Sequence, residues 1–428
     1  MTRIKVDEFI TLADEVALKR KAMGANLSQF AAMIGLRPTV ENEQKIAAYE
    51  LGTQKPTPAQ INRLSRLPFE PPMKKNKAQI RFKFIDLFAG IGGIRIPFEE
   101  AGGECVFTSE WDKDCQITYA ANFGEVPNGD ITKIQSSAIP EHDLLLAGFP
   151  CQAFSQAGLK QGFYDTRGTM FFEIQRIIGH HGPAIILLEN VKQLVGHDKG
   201  KTLKTILGIL RGTLSQKIPD EIPMSDEARR GLGKKLNYAV DFRVLSSNRF
   251  GVPQKRERVF IIGLNKDIFG DVSDADVTSI FDALSNEKHE TRIMGDILEQ
   301  NINVPIEFTI SERLWSGHLR RRKEHKKKGN GFGYSLFDAT SPTCNTISQR
   351  YYKDGSEVLI DQSDIGKNPR LLMPRECARL QGFPEDFYID AVSKVQNYRQ
   401  FGNSVAVPVV RAISNKLKKY LHDCSNTK

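Results

Sequence analysis

From residue 81 onward, short apolar or β-branched runs alternate with segments of helical spacing. The runs are FKFIDLFAG at 82–90, ECVFTSEW at 104–111, DLLLAG at 143–148, AIILLEN at 184–190, YAVDFRVLSS at 238–247 and VFIIGL at 259–264. Strand–helix alternation of this kind predicts a doubly wound, mostly parallel α/β sheet. Such sheets bind ligands beyond the carboxyl ends of their strands, so the polar residues that follow these runs are the first candidates for a site.

The rest of the chain divides around this α/β region. Residues 8–67 predict a small all-α module, 68–80 a Pro- and Lys-rich linker, 81–264 the α/β domain, 265–385 a smaller, basic and turn-rich domain, and 386–428 a segment that returns to the α/β domain. A polar insertion at 211–237 interrupts the α/β pattern, and its sequence suggests no function.

Charge and cysteine usage exclude several classes of protein. The 428 residues carry a formal charge of +9, and seven of the nine residues at 320–328 are Lys or Arg, which suits a polyanionic partner. The six cysteines are scattered without a C-x-x-C pair, so we expect neither a metal site nor a disulfide framework. No apolar run is long enough to span a membrane and the N-terminus lacks the apolar stretch of a signal peptide, so we expect a cytoplasmic protein.

The first strand leads into a glycine-rich turn, 84-FIDLFAGIGGIR-95. A dinucleotide-binding turn has the pattern G-x-G-x-x-G. Gly90 and Gly92 fit the first two positions, but Arg95 stands at the third, where glycine would let the helix pack closely on the strand. The turn alone is therefore weak evidence for a dinucleotide.

Acidic and aromatic residues after the next strands sharpen the prediction. Glu110 lies 20 residues after Gly90, where a carboxylate can accept both hydroxyls of a ribose. Trp111 follows at once and is well placed to cover an adenine, and Asp130 ends a third apolar–polar segment. A nucleoside cofactor without a pyrophosphate fits these residues together, and S-adenosylmethionine is such a cofactor.

Cys151 stands just beyond the DLLLAG run, after Pro150, which restricts the backbone. A thiol at the tip of a rigid turn, on the ligand-binding edge of a sheet, is placed for nucleophilic chemistry rather than for packing. Glu189 ends the next run at the same edge. If the last two runs pair antiparallel, Arg256 and Arg258 face that edge as well, so a thiol, a carboxylate and two guanidinium groups converge.

These motifs resemble those of a known family. GFPCQAFSQAG, LLENV and QKRER are similar to the catalytic motifs of the DNA cytosine-C5 methyltransferases. FIDLFAGIGGIR is similar to their cofactor motif and RQFGNSV to their C-terminal motif, and the motifs follow the family's order over about residues 81–415. One departure is visible, because Ala153 replaces the proline of the usual P-C-Q-P-F-S.

The resemblance implies a mechanism and a cofactor, S-adenosylmethionine. The Cys151 thiolate adds to C6 of a cytosine flipped out of the duplex, and Glu189 hydrogen-bonds N3 and the exocyclic amine. Arg258 contacts O2, Arg256 holds a backbone phosphate or the thiol loop, and C5 accepts the methyl group. The residues implied for the cofactor pocket are Phe88, Gly90, Gly92, Glu110, Trp111, Asp130 and Ile131, with Asn403 and Ser404 closing it.

Two further resemblances concern duplex DNA. Residues 12–66 resemble the Cro/repressor helix-turn-helix, which implies that a helix around 40–50 enters the major groove, and we expect it to bind the promoter of this protein's own gene. Residues 329–361 resemble the recognition domain of Dcm and EcoRII-type enzymes, which implies a C/G-rich target such as CCWGG or CCNGG. The residues expected at base edges are Thr346, Ser348, Gln349, Arg350, Tyr351 and Tyr352, and those expected at phosphates are Arg320, Arg321, Lys326 and Lys327.

Two other function classes remain open on the sequence alone. A nucleotide-dependent oxidoreductase could use a similar sheet, although Arg95 at the third glycine position argues against it. A repressor with an inert methylase-like domain would keep the helical module, although the complete catalytic set argues against inertness. The favoured interpretation is a site-specific methyltransferase of a restriction–modification system, monomeric in methylation, whose companion endonuclease acts on the same site. A chain starting near residue 76 is expected to retain methylation.

Overall fold

The computed structural model describes residues 11–74, 80–150, 170–214, 224–331 and 333–426, so Cys151 and Ala153 lie outside the described residues. All six predicted runs form strands. The strands are β1 Phe82–Leu87, β2 Gly103–Ser109, β3 Leu144–Gly148, β4 Ile185–Val191, β5 Tyr238–Ser246, β6 Gln254–Lys255, β7 Glu257–Asn265, β8 Leu336–Phe337, β9 Cys344–Asn345 and β10 Leu359–Ile360.

The main sheet has six strands in the order β2-β1-β3-β4-β7-β5. β1 pairs in parallel with β2 and β3, and β3 pairs in parallel with β4. β7 runs antiparallel to both of its neighbours, β4 and β5. The antiparallel direction of β7 places residues 256–258 at the carboxyl end of the parallel strands, as the sequence analysis required. It follows from chain length, because the connection between β5 and β7 at 247–256 is too short for the crossover that a parallel pair needs.

Helices cover both faces of this sheet, as the predicted doubly wound class requires. Phe98, Phe281 and Ile413 belong to the apolar cluster on one face, and Phe171 and Ile206 to the cluster on the other. The helices are α1 Leu12–Ala22, α2 Leu27–Met33, α3 Val40–Glu50, α4 Pro58–Ser65, α5 Arg95–Glu100, α6 Lys113–Phe123, α7 Met170–His181, α8 Gln193–Gly196, α9 Lys201–Leu210, α10 Asp226–Gly231, α11 Lys266–Phe269, α12 Asp274–Ser285, α13 Glu312–Lys327, α14 Pro374–Leu380, α15 Lys394–Asn403 and α16 Val407–Asn426.

Helices α1 to α4 form the N-terminal module, in which α2 and α3 have the order of a helix-turn-helix. Arg20 of α1 is ion-paired with Glu50 at the end of α3, with 2.5 Å between Nε and Oε1. Asn26 caps α2 by accepting the backbone N–H of Gln29. The side chain of Gln29 accepts the N–H of Asn26 in return, so the two residues form a capping box.

The module packs directly against α6 of the α/β domain. Ile117 and Ala120 of α6 share one buried apolar cluster with Phe30 of α2. At Gly24, φ is +60° and an added Cβ would lie only 2.5 Å from the carbonyl oxygen of Gly124, so the two backbones are in close contact. The segment 68–80, predicted to be a linker, is also packed over its described part, since the N–H of Met73 donates to the carbonyl of Asn122. Its Pro and Lys content had suggested a solvated spacer, but Met73 is buried in one cluster with Tyr119 and Phe123 of α6, while Phe69 and Ile80 are exposed.

Within the predicted second domain, α12 packs on the main sheet through Val277, Ile280 and Phe281. The rest of that region is largely turns around α13. A buried ion pair between Arg370 and Glu376, with 2.8 Å between Nη1 and Oε2, fixes its junction with α14. Short strands attach the second domain to the sheet edge, because β9 pairs with β6 just before Arg256 and Arg258. Within the described ranges, no helix has the length and apolar character required to cross a membrane.

Candidate active site

The base of the Cys151 loop lies beside Glu189. β3 ends at Gly148, three residues before the cysteine, and Gly148 is in register with Glu189 of β4. A Cβ added to Gly148 would lie 3.6 Å from Oε2 of Glu189. The side-chain amide of Asn190 donates to the carbonyl of Phe149 at 3.2 Å and so holds the first residue of the loop. The predicted nucleophile, Cys151, follows Gly148 by three residues in the chain and lies outside the described residues.

Glu189 is paired with Arg258, as the convergence of the strands predicted. Nε of Arg258 lies 3.2 Å from Oε1 of Glu189, and both side chains are largely buried. Burial raises the pKa of the Glu189 carboxyl, while the positive charges of Arg258 and Arg256 oppose that shift. A raised pKa favours the protonated form of the carboxyl, which suits a group that must donate to a ring nitrogen.

The described contacts of Arg256 are with the second domain and the C-terminal segment. Its side chain is buried and donates to backbone carbonyls of Ile347 at 3.3 Å, Gly402 at 3.0 Å and Ser404 at 2.5 Å. It therefore ties the catalytic edge to the second domain and to the C-terminal segment. A guanidinium that is 2% exposed cannot reach a phosphate without rearrangement, so its burial argues against the phosphate, the first of its two predicted contacts. The second, the thiol loop, lies outside the described residues.

The glycine turn after β1 is shaped for close approach of a ligand. Phe88 and Gly90 both have φ of +56°, and a Cβ at Gly90 would meet nothing within 4 Å, so open space lies in front of the turn. A Cβ at Gly92 would lie 2.3 Å from the ring of Phe123. Glycine is required at this position because the turn packs directly against α6.

Arg95, at the position of the missing third glycine, points away from the turn into a polar network. Its guanidinium donates to the Tyr119 hydroxyl at 2.8 Å and to Glu99 at 2.9 Å, and it is ion-paired with Glu125. The helix that follows the turn is consequently fixed by this buried network rather than by a close glycine contact.

Glu110 and Trp111 lie at the rim of the open space. The Glu110 carboxylate accepts the N–H groups of Gly90 and Asp112, each at 2.8 Å. Burial raises the pKa of Glu110, and these two hydrogen bonds oppose the shift. Trp111 is 77% exposed, so its indole is available to cover a planar group. A buried carboxylate with unused lone pairs beside an exposed indole fits the ribose and adenine of a nucleoside.

Two further predicted segments border the same turn. Asp130 accepts the N–H and hydroxyl of Thr132 at 3.0 and 2.8 Å, which fixes the short helical turn that begins with the buried Ile131. From the other side, a Cβ at Gly93 would lie 2.9 Å from the hydroxyl oxygen of Ser404. The C-terminal segment therefore contacts the glycine turn.

Asp86 is a buried acid that the sequence reasoning did not single out. It is fully buried in β1, and neither of its oxygens has a hydrogen-bond partner among the described residues. Burial raises the pKa of Asp86 to about 8, with Arg95 opposing and Glu110 adding to the shift. The signal was present in FIDLF, where one acid interrupts an otherwise apolar buried strand.

Two of the residues expected at base edges are exposed. Gln349 and Arg350 lie on the surface of the second domain. Thr346 and Ser348 are partly engaged, since the Thr346 hydroxyl donates to a backbone carbonyl of β6 at 2.7 Å and the Ser348 hydroxyl donates to Glu357 at 2.6 Å. These contacts hold the segment against the catalytic edge.

The two adjacent tyrosines face opposite ways. Tyr351 is fully buried, donates to the carbonyl of Val358 at 2.6 Å and accepts the N–H of Leu372 at 2.8 Å. Its expected contact with DNA is therefore wrong, because it is a core residue of the second domain. Tyr352 is partly exposed and accepts a hydrogen bond from Arg399 at 3.2 Å.

The basic run forms most of α13. Within it, Arg321 is ion-paired with Asp354 at 3.4 Å, and Arg320 lies 4.0 Å from Glu324 on the next turn. These contacts are largely exposed and weak, so they leave both arginines able to turn toward a phosphate. The exposed cations at the end of the helix are Lys326 and Lys327.

The family was identified by comparison with known proteins. Residues 82–212 and 233–419 match the family model described as C-5 cytosine-specific DNA methylase. The chain belongs to the C-5 cytosine-specific DNA methylases. It is 54% identical over 341 residues to the Type II methyltransferase M.DsaV of Dactylococcopsis salina, covering 80% of this chain and 87% of that protein. It is 46% identical over 407 residues to the Type II methyltransferase M.SsoII of Shigella sonnei, covering 95% of this chain and 97% of that protein.

A solved structure supports the fold. The S. pombe Dnmt2 methyltransferase aligns with a TM-score of 0.59 at 20% identity, covering 79% of this chain and 99% of that one. This methylase therefore has the expected Rossmann-like fold, uses S-adenosylmethionine as its methyl donor and acts on double-stranded DNA. Family membership excludes the oxidoreductase alternative.

Proposed function

We propose that the chain methylates C5 of one cytosine within a specific duplex site, as the modification enzyme of a type II restriction–modification system. The observation that carries this is the contact of Gly148, Glu189 and Arg258 at the carboxyl edge of the sheet. Both relatives named above are Type II methyltransferases, which supports the assignment to such a system. A companion endonuclease would cut the same site, and the methylase would act as a monomer.

The proposed reaction begins with the flipped-out cytosine held on this edge. The Cys151 thiolate adds to C6 while Glu189 donates its proton to N3, so the electron pair of the C5–C6 bond becomes available at C5. Arg258 would bind O2 and keep Glu189 oriented. After C5 has gained a methyl group it loses its proton to a base, and the electrons of that C–H bond restore the C5–C6 double bond and expel the thiolate. N3 returns its proton to Glu189, which restores the starting state of the enzyme.

The cofactor would be held by the rim around the glycine turn. Glu110 would bind the ribose hydroxyls, Trp111 would cover the adenine, and Asp130 with Ile131 would close the far side. Bound S-adenosylmethionine supplies an electrophilic methyl group. Open space at Gly90 and the contact between Gly93 and Ser404 support this pocket, since the methyl group must lie between the turn and the catalytic edge.

The target is proposed to be C/G-rich, of the CCWGG or CCNGG kind. Discrimination would come from the exposed Gln349 and Arg350, since the catalytic edge contacts only the flipped base. Bisulfite sequencing of DNA from cells that express the chain tests both claims. A single methylated motif rich in C and G is expected, whereas unmethylated DNA or scattered methylation would contradict the proposal.

The N-terminal module supports a second proposed function, regulation of this protein's own promoter. The ion pair of Arg20 and Glu50 fixes α1 against α3, and the first residue of α3, Val40, is 70% exposed. This leaves the start of α3 accessible for the major groove. Footprinting with the full chain and with a chain starting near residue 76 tests the idea, and identical protection patterns would contradict it.

The packing of the module on α6 changes what the truncation should do. Removing it exposes Ile117, Ala120 and Ala121, which are buried in the shared cluster. We therefore expect the truncated chain to methylate DNA, because every chemical group lies downstream, but to unfold at a lower temperature than the full chain.

A further inference from the structure

The insertion at 211–237 contacts the turn assigned to the cofactor. The family model matches residues 82–212 and 233–419 and leaves out 213–232, so this segment is additional to the shared methylase domain. Its described part contains α10, which packs on α7. Ser225, the N-cap of α10, donates through its N–H and its hydroxyl to the buried Glu173 at 3.1 and 2.9 Å.

Arg176 of α7 connects this insertion to the turn. It is 5% exposed, and its guanidinium donates to the carbonyls of Ile131 and Ile134 at 2.8 and 2.7 Å. The same guanidinium donates to Glu173 at 2.6 Å and to Glu227 of α10 at 2.9 Å. A guanidinium held between two carboxylates has its orientation fixed, because each of its edges is engaged.

Glu227 also contacts the turn without an intermediary. Its two carboxylate oxygens accept the N–H of Ser136 at 3.0 and 3.3 Å. Although burial works against the charged form, hydrogen bonds from Ser136 and the charge of Arg176 keep the pKa of Glu227 below its ordinary value. The carboxylate is thus ionised near neutral pH and able to hold both groups.

We infer that Glu227, acting directly and through Arg176, is a positioning residue that fixes the 130–136 turn for cofactor binding. The insertion supports one wall of the cofactor pocket. The inference rests on the proposed placement of Asp130 and Ile131 in that pocket. Arg176 orders the carbonyls at the start and end of the turn, so losing Glu227 loosens the side of the pocket that faces the adenine. Glu173 still neutralises Arg176 when Glu227 is absent, so the fold should survive.

The test is direct binding of S-adenosylhomocysteine, measured by calorimetry on the full chain. Glu227→Ala should raise its Kd by about fivefold or more, the size of effect seen when coupled neighbours are separated. Glu227→Gln keeps an acceptor for Ser136 and should raise the Kd less. The rate at saturating cofactor and the Kd for DNA should stay within about twofold of the native values, which a general loss of structure would not allow. Hydrogen exchange should become faster at 131–136.

The matched control is Glu287→Ala. Glu287 is paired with Lys416 at 2.6 Å and is about as exposed as Glu227, with 38% against 31% for the side chains, but it lies on the opposite side of the sheet from the 130–136 turn. Glu287→Ala should leave the Kd for S-adenosylhomocysteine unchanged. A native Kd in Glu227→Ala, together with a raised Kd in Asp130→Ala, would overturn the positioning role of Glu227. A native Kd in Asp130→Ala would instead overturn the pocket assignment, and with it the inference.

Discussion

Replacing Arg256 by methionine separates a structural role from a DNA-binding role. Methionine keeps much of the aliphatic packing but removes the donors that reach Ile347, Gly402 and Ser404. A hydrogen bond from a charged donor contributes about 1.5–3 kcal/mol, so three of them set an upper bound of roughly 5–9 kcal/mol. Because water can rebind some of the carbonyls, we expect a loss of about 3–5 kcal/mol in the free energy of unfolding.

Urea denaturation measures this loss, and Arg411→Met is the control. Arg411 is paired with Glu100 at 2.7 Å in an exposed position, so its removal should change the free energy of unfolding by about 1 kcal/mol or less. The second measurement is the salt dependence of DNA binding. Since Arg256 is buried, its loss should leave the slope unchanged, whereas a lost phosphate contact lowers the slope by about 0.9. Native stability combined with a reduced slope would refute the structural role and restore the phosphate contact.

Three other changes have defined outcomes. Glu189→Gln should lower single-turnover methyl transfer by about 10²–10⁴-fold with DNA affinity retained, and near-native turnover would contradict its role as proton donor. The free energy of unfolding of Asp86→Asn, taken relative to that of the native chain, should increase by roughly 2–3 kcal/mol as the pH rises from 6 to 8, measured by denaturation. The sign follows because the folded-state pKa of Asp86 is raised, so its contribution to stability falls as pH rises toward 8; a constant difference would contradict this. Changing both Lys326 and Lys327 to glutamine should lower the salt slope by up to about 2 without altering site preference, and a changed preference would assign them to base recognition.

The strands and the Glu189–Arg258 contact could be predicted because both depend on local pattern. Buried strands require apolar runs, and residues that follow such runs meet at one edge of the sheet. The antiparallel pairing of β5 and β7 follows from the short connection between them. These constraints act over short distances in the chain, so they are readable without tertiary contacts.

The roles of Arg256 and Tyr351 could not be read in the same way. Arg256 and Arg258 stand in one motif, yet one is buried by the C-terminal segment, which is distant in sequence, and the other faces the site. Tyr351 and Tyr352 are chemically identical neighbours, and only the packing of the second domain decides which one is buried. The docking of the N-terminal module did leave a signal, since α6 is buried on almost every side and a helix of that kind needs neighbours on two faces.

Covalent trapping tests the central claim most directly. Duplex DNA that carries 5-fluorocytosine at the methylated position cannot complete the reaction, because the fluorine at C5 cannot leave as a proton. With S-adenosylmethionine present, the native chain should form a stable adduct, and peptide mapping by mass spectrometry should place the DNA on Cys151. Cys151→Ala should form no adduct and transfer no methyl group, while it still binds S-adenosylhomocysteine with the native Kd. An adduct on another residue, or methyl transfer by the alanine variant at the native rate, would contradict the assignment of Cys151 as the nucleophile.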